Sequence, residues 1–289
     1  MLKKNFDKLP FRKMHGAGND FVIIEDDEIE PGVAFSRQQF ESIAHRKFGL
    51  GADQVILLSP SKKADVFMHI FNADGSLAGA CGNATRCVAK IITDRSKRSS
   101  CKIETISGVL SCKVTAKGYE VNMGRPNFEG RAVGLSMEQD LSAIVMDQLP
   151  NIEGFALSMG NPHLVYFNND FAGLDIAKIG ASIEKDPHFA QGVNVGFAQK
   201  ISDNHINLRV WERGSGETLA CGSGACAAVV AGYNKDLLAR DVKVSMAGGD
   251  LFIKYCANGE VFLTGPAVLI AEGVMNLDSA SLAKPYVEA

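Results

Sequence analysis

The sequence predicts an α+β fold of two similar lobes, each a mixed β-sheet or barrel wrapped around one central helix. Three observations carry that expectation. The first is a pattern written twice: Gly18-Asn19-Asp20-Phe21-Val22-Ile23 matches Gly160-Asn161-Pro162-His163-Leu164-Val165, and Gly51 matches Gly192. Ala80-Cys81-Gly82-Asn83 likewise matches Ala220-Cys221-Gly222-Ser223, and Gly124 matches Gly265. These four landmarks keep one order and one displacement of roughly 140 positions, a duplicated unit too long for a solenoid repeat. The second is the number of short β-branched or alternating runs. The third is the change, after each Ala-Cys-Gly, to small and apolar residues at three-to-four spacing.

In chain order, the runs FVIIE, QVILL, VFMHIF, CKVTA and GYEVNM read as strands of the first half. HLVYF, INLRVW, VKVSM, LFIKY and EVFLTG are their counterparts in the second, by the β-propensity of their residues. ATRCVAKIITDR and GACAAVVAGYNK read as the two buried helices, each with a cysteine just before its first turn. QQFESIAHRKF and SMEQDLSAI suggest peripheral helices, and the segment from Arg125 to Ile152 reads as the connection between lobes. The expected division is 1–125, completed by 268–289, for the first lobe and 126–267 for the second.

Composition narrows the function classes. With 46% hydrophobic and 22% charged residues and a formal net charge of −3, the chain has no basic excess to attract nucleic acid. No run has the roughly 18 apolar residues of a membrane span, and MLKKNFDKLPFRK lacks a following apolar stretch, so a cytoplasmic protein is expected. Seven cysteines, an odd number, argue against a disulfide framework, and the C-x5-C and C-x4-C spacings are not those of zinc knuckles, so no metal is expected. The run DRSKRSS reads as a polar loop.

Cys81 and Cys221 are the candidate reactive groups. A helix start gathers unpaired N–H groups and positive dipole, which favour a thiolate and bind anions, and the following glycine lets amides approach a ligand closely. Two such ends on opposite sides of one substrate suit a two-base inversion, in which one sulfur takes the α-proton and the other returns it to the opposite face. Cys87, Cys101, Cys112, Cys226 and Cys256 read as small packing residues. His45, His69, His188 and His205 have no motif around them and read as structural or solvated.

The succession MHGAGNDFV, GADQ, FNADGS, ACGNATRC, MGNPH, GVNV, VWERGSGETLACGSGACA and GGDL resembles the diaminopimelate epimerases over most of the chain. The departure is Ala84-Thr85, where the family more often has Gly-Ala. The resemblance implies the diaminopimelate epimerase-like fold and the interconversion of LL- and meso-diaminopimelate without pyridoxal phosphate or any other cofactor. It makes Cys81 and Cys221 the acid and base, and sets the amides of Gly82, Asn83, Gly222 and Ser223 on the reacting carboxylate. It gives Asn19, Gln54, Asn72, Asn161, Asn194, Glu212 and Arg213 to the ammonium groups and the distal carboxylate, with His163 and Glu212 assisting the thiols. It also implies a homodimer and a place in lysine and peptidoglycan precursor synthesis.

Three other readings keep the cysteine pair or the fold. A proline racemase-like enzyme would share the thiols without needing the Asn and Arg set. A phenazine-biosynthesis-type isomerase would share the fold but use a carboxylate. A redox-sensing or amino-acid-binding protein would use Cys81 and Cys221 as a switchable disulfide.

Overall fold

A computed structural model describes residues 8–25, 35–135, 139–171 and 173–276. The first repeat runs β1 (Leu9–Gly16), β2 (Asn19–Glu25), α1 (Arg37–Ala44), β3 (Gln54–Ser59), β4 (Val66–Asn72), β5 (Leu77–Ala78), α2 (Gly82–Ser96), β6 (Ser100–Thr105), β7 (Gly108–Thr115) and β8 (Gly118–Asn122). After the short α3 (Gly130–Val133), the second repeats that order as β9 (Gly154–Ser158), β10 (Pro162–Phe167), α4 (Ile176–Glu184), β11 (Asn194–Ser202), β12 (His205–Glu212) and β13 (Gly216–Thr218). It continues through α5 (Gly222–Asn234), β14 (Asp241–Met246), β15 (Gly249–Tyr255) and β16 (Val261–Gly265), and a last strand, β17 (Val268–Met275), has no counterpart.

Pairing repeats as faithfully as order. β2 lies parallel to β3, β3 antiparallel to β4, and β4 parallel to β6, which forms a hairpin with β7. In the second repeat β10, β11, β12, β14 and β15 keep the same directions. The backbone agrees at the turns: Gly18 and Gly160 have φ of 86° and 91°, and Gly51 and Gly192 have 69° and 72°, values open to glycine and strained for other residues.

Contacts divide the chain into two compact units, each described by itself. The first holds the described residues up to Gly16, Asp20–Val114 and those from Ala267 onward; the second holds Ala17–Asn19 and Thr115–Pro266. β8 pairs with β16 inside the second unit, and β17 pairs with β1 inside the first. The Arg125 to Ile152 segment, read from sequence as a connection, is part of the second unit's body. Asn127 pairs with Ser158 and Ile144 with Gly154, and Val133, Ile144, Met146 and Leu149 are buried in a core with Leu164, Tyr166, Ile176, Ile183 and Phe197.

Each central helix is small because it is enclosed. α5 buries residues round its whole circumference, including Ala225, Cys226, Ala228, Val229 and Val230, and packs on β9, β10, β11, β15 and β16. A Cβ on Gly232 would stand 2.4 Å from Leu238 Cδ1 and 2.9 Å from Phe167 Cζ, so only glycine fits. α2 buries Ala84, Thr85, Cys87, Val88, Ala89 and Ile92 and packs on β1 and β6. Each fully enclosed valine or isoleucine contributes about 1.5–3 kcal/mol by leaving water.

Of the two peripheral helices expected, α1 forms but stops at Ala44, where His45 turns extended with ψ 120°. In SMEQDLSAI, residues 136–138 lie outside the described residues, and 139–144 form turns in place of a helix. The Asp140 carboxylate accepts from the Ser142 N–H at 2.8 Å, a local bond that competes with helical pairing. Among the described residues no helix is long and apolar enough to cross a membrane.

Candidate active site

The second unit carries most of the expected residues. Cys221 is the N-cap of α5, extended at φ −117° and ψ 108°, and only 3% exposed. Its Sγ accepts the Gly224 N–H at 3.4 Å and lies 3.7 Å from Ser223 Oγ. Burial pushes the thiol well above its usual range; the Glu212 carboxylate adds in the same direction, and the bonds from Ser223 and Gly224 only partly offset them. The pull of the helix start toward a thiolate is opposed here by desolvation. Burial and the Glu212 carboxylate both favour the protonated thiol at Cys221. That carboxylate, at the end of β12, is oriented by Thr218, whose hydroxyl donates to Glu212 Oε1 at 2.5 Å.

His163, on β10, is 1% exposed and accepts no charge readily. Burial and then the neighbouring Arg213 guanidinium pull its pKa from 6.5 down to about 3. In the neutral ring Nε2–H donates to Asn161 Oδ1 at 3.0 Å, which leaves Nδ1 a lone pair. Asn194 is a strut between strands. Its Nδ2 donates to Pro162 O at 2.7 Å, and its Oδ1 accepts the Arg213 N–H at 3.0 Å. Arg213 is exposed and its guanidinium donates to Gln191 O at 2.8 Å. Asn19 belongs to this unit with Ala17 and Gly18. Ala17 is buried in the α5 core, and Gly18 lies against Leu219, two residues from Cys221.

The first unit repeats the design with different atoms. Cys81 is the N-cap of α2, extended at φ −149° and ψ 108°, half-buried, with no side-chain hydrogen bond into the first turn of the helix. Gly82 and Asn83 follow it, both buried. Gln54 opens β3 and Asn72 ends β4, directly opposite in register, and Gln54 Nε2 donates to Asn72 Oδ1 at 2.9 Å. Asn72 Nδ2 in turn donates to Ser76 Oγ at 3.1 Å. Gln54 and Asn72 thus occupy the places that Asn194 and Glu212 hold in the second unit, so the carboxylate beside Cys221 becomes an amide on the Cys81 side.

Thr218 and Ser76, which orient Glu212 and Asn72, carried no signal in the sequence beyond standing in the same motifs. Arg86, on α2, is wholly buried, with Nη1 3.5 Å from Gly82 O. Nothing in a chain with ordinary charge content singled it out. Of the remaining cysteines, Cys87, Cys101, Cys112 and Cys226 are buried and Cys256 half-buried, all as reduced thiols outside any disulfide. Burial raises Cys87 to about 12, so it is inert at neutral pH. His69 and His205 meet Ser59 and Ser245 at 2.9 and 3.0 Å, structural contacts as expected.

The fold is similar to that of a phenazine biosynthesis protein of the PhzF family from Bacillus anthracis (TM-score 0.67, 15% identity, covering 93% of this chain and 99% of that one). It is also similar to a hydroxyproline epimerase from Agrobacterium vitis (TM-score 0.66, 13% identity, 94% of each). Its relatives by sequence make the chain an isomerase, of the epimerase class. The family model described as Diaminopimelate epimerase matches residues 11–129 and 155–270. Curated diaminopimelate epimerases from Gluconobacter oxydans and Nitrosospira multiformis are 43% and 41% identical, over 92% and 93% of this chain and 98% and 99% of theirs. The chain belongs to the diaminopimelate epimerase family.

Proposed function

We propose that the chain interconverts LL- and meso-diaminopimelate by a two-base mechanism on Cys81 and Cys221, with no cofactor. The observation that carries this reading is the cysteine-capped helix built twice at equivalent positions, in a chain of this family. One sulfur, as thiolate, takes the proton from the α-carbon; the other, as thiol, delivers one to the opposite face, and the configuration inverts. Cys221 supports the thiol half of that exchange, because burial and Glu212 hold its proton in place until the carbanion forms. The step leaves Cys221 as the thiolate and Cys81 as the thiol, which is the state that the reverse direction needs.

The α-proton is a very weak acid, so the carbanionic transition state needs fixed donors. The amides of Gly82 and Asn83 and of Gly222 and Ser223, at the N-termini of α2 and α5, supply N–H groups and dipole for the reacting carboxylate. Asn19, Asn161, Asn194, Gln54 and Asn72 take the ammonium groups, and Arg213 clamps the distal carboxylate. His163, neutral, offers Nδ1 as a hydrogen-bond acceptor to a substrate N–H or a thiol. The same reading carries a homodimer, a cytoplasmic location and a place in lysine and peptidoglycan precursor synthesis, with no nucleic-acid partner.

The test is α-proton exchange followed by NMR. Reduced protein is incubated with LL-diaminopimelate in D2O, alongside the Cys81→Ala and Cys221→Ala variants. Deuterium at the α-carbon with formation of the meso isomer, lost in either variant, is expected. Absence of exchange in fully reduced wild-type protein sinks the reading.

A further inference from the structure

Ahead of Gln54 lies a group of charges that the motifs contain but the reaction does not use. β2 and β3 begin their parallel register at Phe21 and Gln54. Immediately before that pair, Asp20 and Asp53 bond reciprocally. The Asp20 N–H donates to Asp53 Oδ2 at 3.0 Å, and the Asp53 N–H donates to Asp20 Oδ1 at 2.9 Å and to Asp20 O at 3.1 Å. Two carboxylates so placed repel unless cations join them. Arg46 does so, with Nη2 2.9 Å from Asp20 Oδ1 and 2.6 Å from Asp53 Oδ1, and Nη1 3.2 Å from Asp20 Oδ2. Lys13 of β1 closes the other side at 2.5 Å from Asp20 Oδ2 and also donates to the Gly51 carbonyl. Burial alone would raise the Asp20 carboxyl, but the bonds from Arg46 and Lys13 hold it well below the usual carboxylate range.

The second unit performs the same structural task by another route. Pro162 and Val193 stand where Asp20 and Asp53 stand in the first repeat, and neither carries charge. There the strut is Asn194, whose amide spans from Pro162 O to the Arg213 N–H. Gln54 is its counterpart in register, yet its amide does no such work. Nε2 goes to Asn72, and Oε1 is buried with no hydrogen-bond partner. A buried amide oxygen left unmatched is destabilising unless a ligand supplies the donor.

We propose that Asp20 is a positioning residue. With Asp53, Arg46 and Lys13 it clamps the mouth of β2 and β3, so that the Gln54 carbonyl oxygen is held ready for an N–H donor of the substrate, an ammonium group. The two repeats have divided one job differently: one amide in the second unit both braces and recognises, whereas in the first the ionic clamp braces and the amide is released to recognise. This inference rests on the proposed epimerase reading.

The experiment is steady-state epimerisation of LL-diaminopimelate by full-length wild type, Asp20→Asn, Gln54→Ala and the double variant, with thermal melts of each. Asp20→Asn raises KM about tenfold with kcat within about twofold, the signature of lost binding that is equal in ground and transition states. The double variant is no worse than Gln54→Ala alone, since the clamp acts through Gln54. Wild-type KM in Asp20→Asn, KM effects that multiply in the double variant, or a Gln54→Ala variant with unchanged KM beside an active wild type would overturn the proposal. Deuterium exchange of the backbone amides of Gln54–Leu58 in the unliganded protein reads the clamp without turnover. Faster exchange in Asp20→Asn than in wild type is expected, and equal protection overturns the proposal even if wild type proves inactive.

Discussion

Adding one methyl group to Gly224 tests how the Cys221 sulfur is held. A Cβ there would lie 3.0 Å from Val210 Cγ2, 3.1 Å from Cys221 Sγ and 3.3 Å from Cys221 Cβ. Ordinary contacts between such atoms are about 3.5–4.0 Å, so the thiol or Val210 must retreat by roughly half an ångström or more. Neither has room, since Val210 is 0% and Cys221 3% exposed. Retreat also lengthens the 3.4 Å bond by which the Gly224 N–H caps onto the sulfur. Helix propensity favours alanine by about 1 kcal/mol, and overpacking opposes it by about 1–3 kcal/mol, so the net is a loss of roughly 0–2 kcal/mol. Activity falls much further, on the order of ten- to a hundredfold, because a reacting atom has moved. The chain contains its own control: Ala84 is the residue at the same place in α2, and there the Cys81 side chain does not cap the helix. Gly224→Ala should make the second helix start resemble the first, whereas Ala84→Gly should change exchange rates little. Thermal unfolding and α-proton exchange are the assays. A Gly224→Ala protein that melts above wild type and exchanges at the wild-type rate would refute the reasoning.

His163 stays neutral when buried while the unfolded chain's histidine takes a proton. Its contribution is present above pH 6.5 and is lost at about 1.4 kcal/mol per pH unit as pH falls toward about 3. Denaturant titrations at several pH values should show that slope in wild type and a flatter one in His163→Gln; identical slopes would count against it. Cys87 has the opposite sign: the unfolded thiol ionises above pH 9.0 and the buried one only near 12, so stability falls in that alkaline window. Cys87→Ala should show a shallower alkaline dependence than wild type though it leaves a small cavity, which urea unfolding at pH 8 and 10 would reveal. The Tyr166 hydroxyl is buried with no partner, so Tyr166→Phe should hold stability or raise it by up to about 1–2 kcal/mol, read by denaturant unfolding. A clear drop would mean the hydroxyl is satisfied.

Much of the architecture was legible because it is written twice. A glycine that must take positive φ and a cysteine before a run of small residues leave marks that survive divergence, and Gly18 with Gly160 and Cys81 with Cys221 fell at matching places in fold as in sequence. What could not be read depends on partners far along the chain. Residues 17–19 look like part of the first strand pair, yet they belong to the second unit, with Ala17 in its core and Gly18 against Leu219. The α4 helix carries an Asp175 N-cap and apolar Ile176, Ile179 and Ile183 at helical spacing, a signal that was present and passed over. The state of Cys221 could not be read from its motif: dipole is local and visible there, while desolvation depends on everything that closes around the sulfur. The division of work between Gln54 and Asn194 needed the strand register to be seen at all.

The pairing of β1 with β17 sets an order of events on the ribosome. The second unit has nearly all its strands once Gly265 has left the exit tunnel, and it can close on α5 at that point. The first unit, although synthesised earlier, waits for Val268–Met275 to arrive before β1 gains its outer neighbour. The half made first is therefore the half finished last, and through that interval β1 offers an open edge to any other nascent chain nearby.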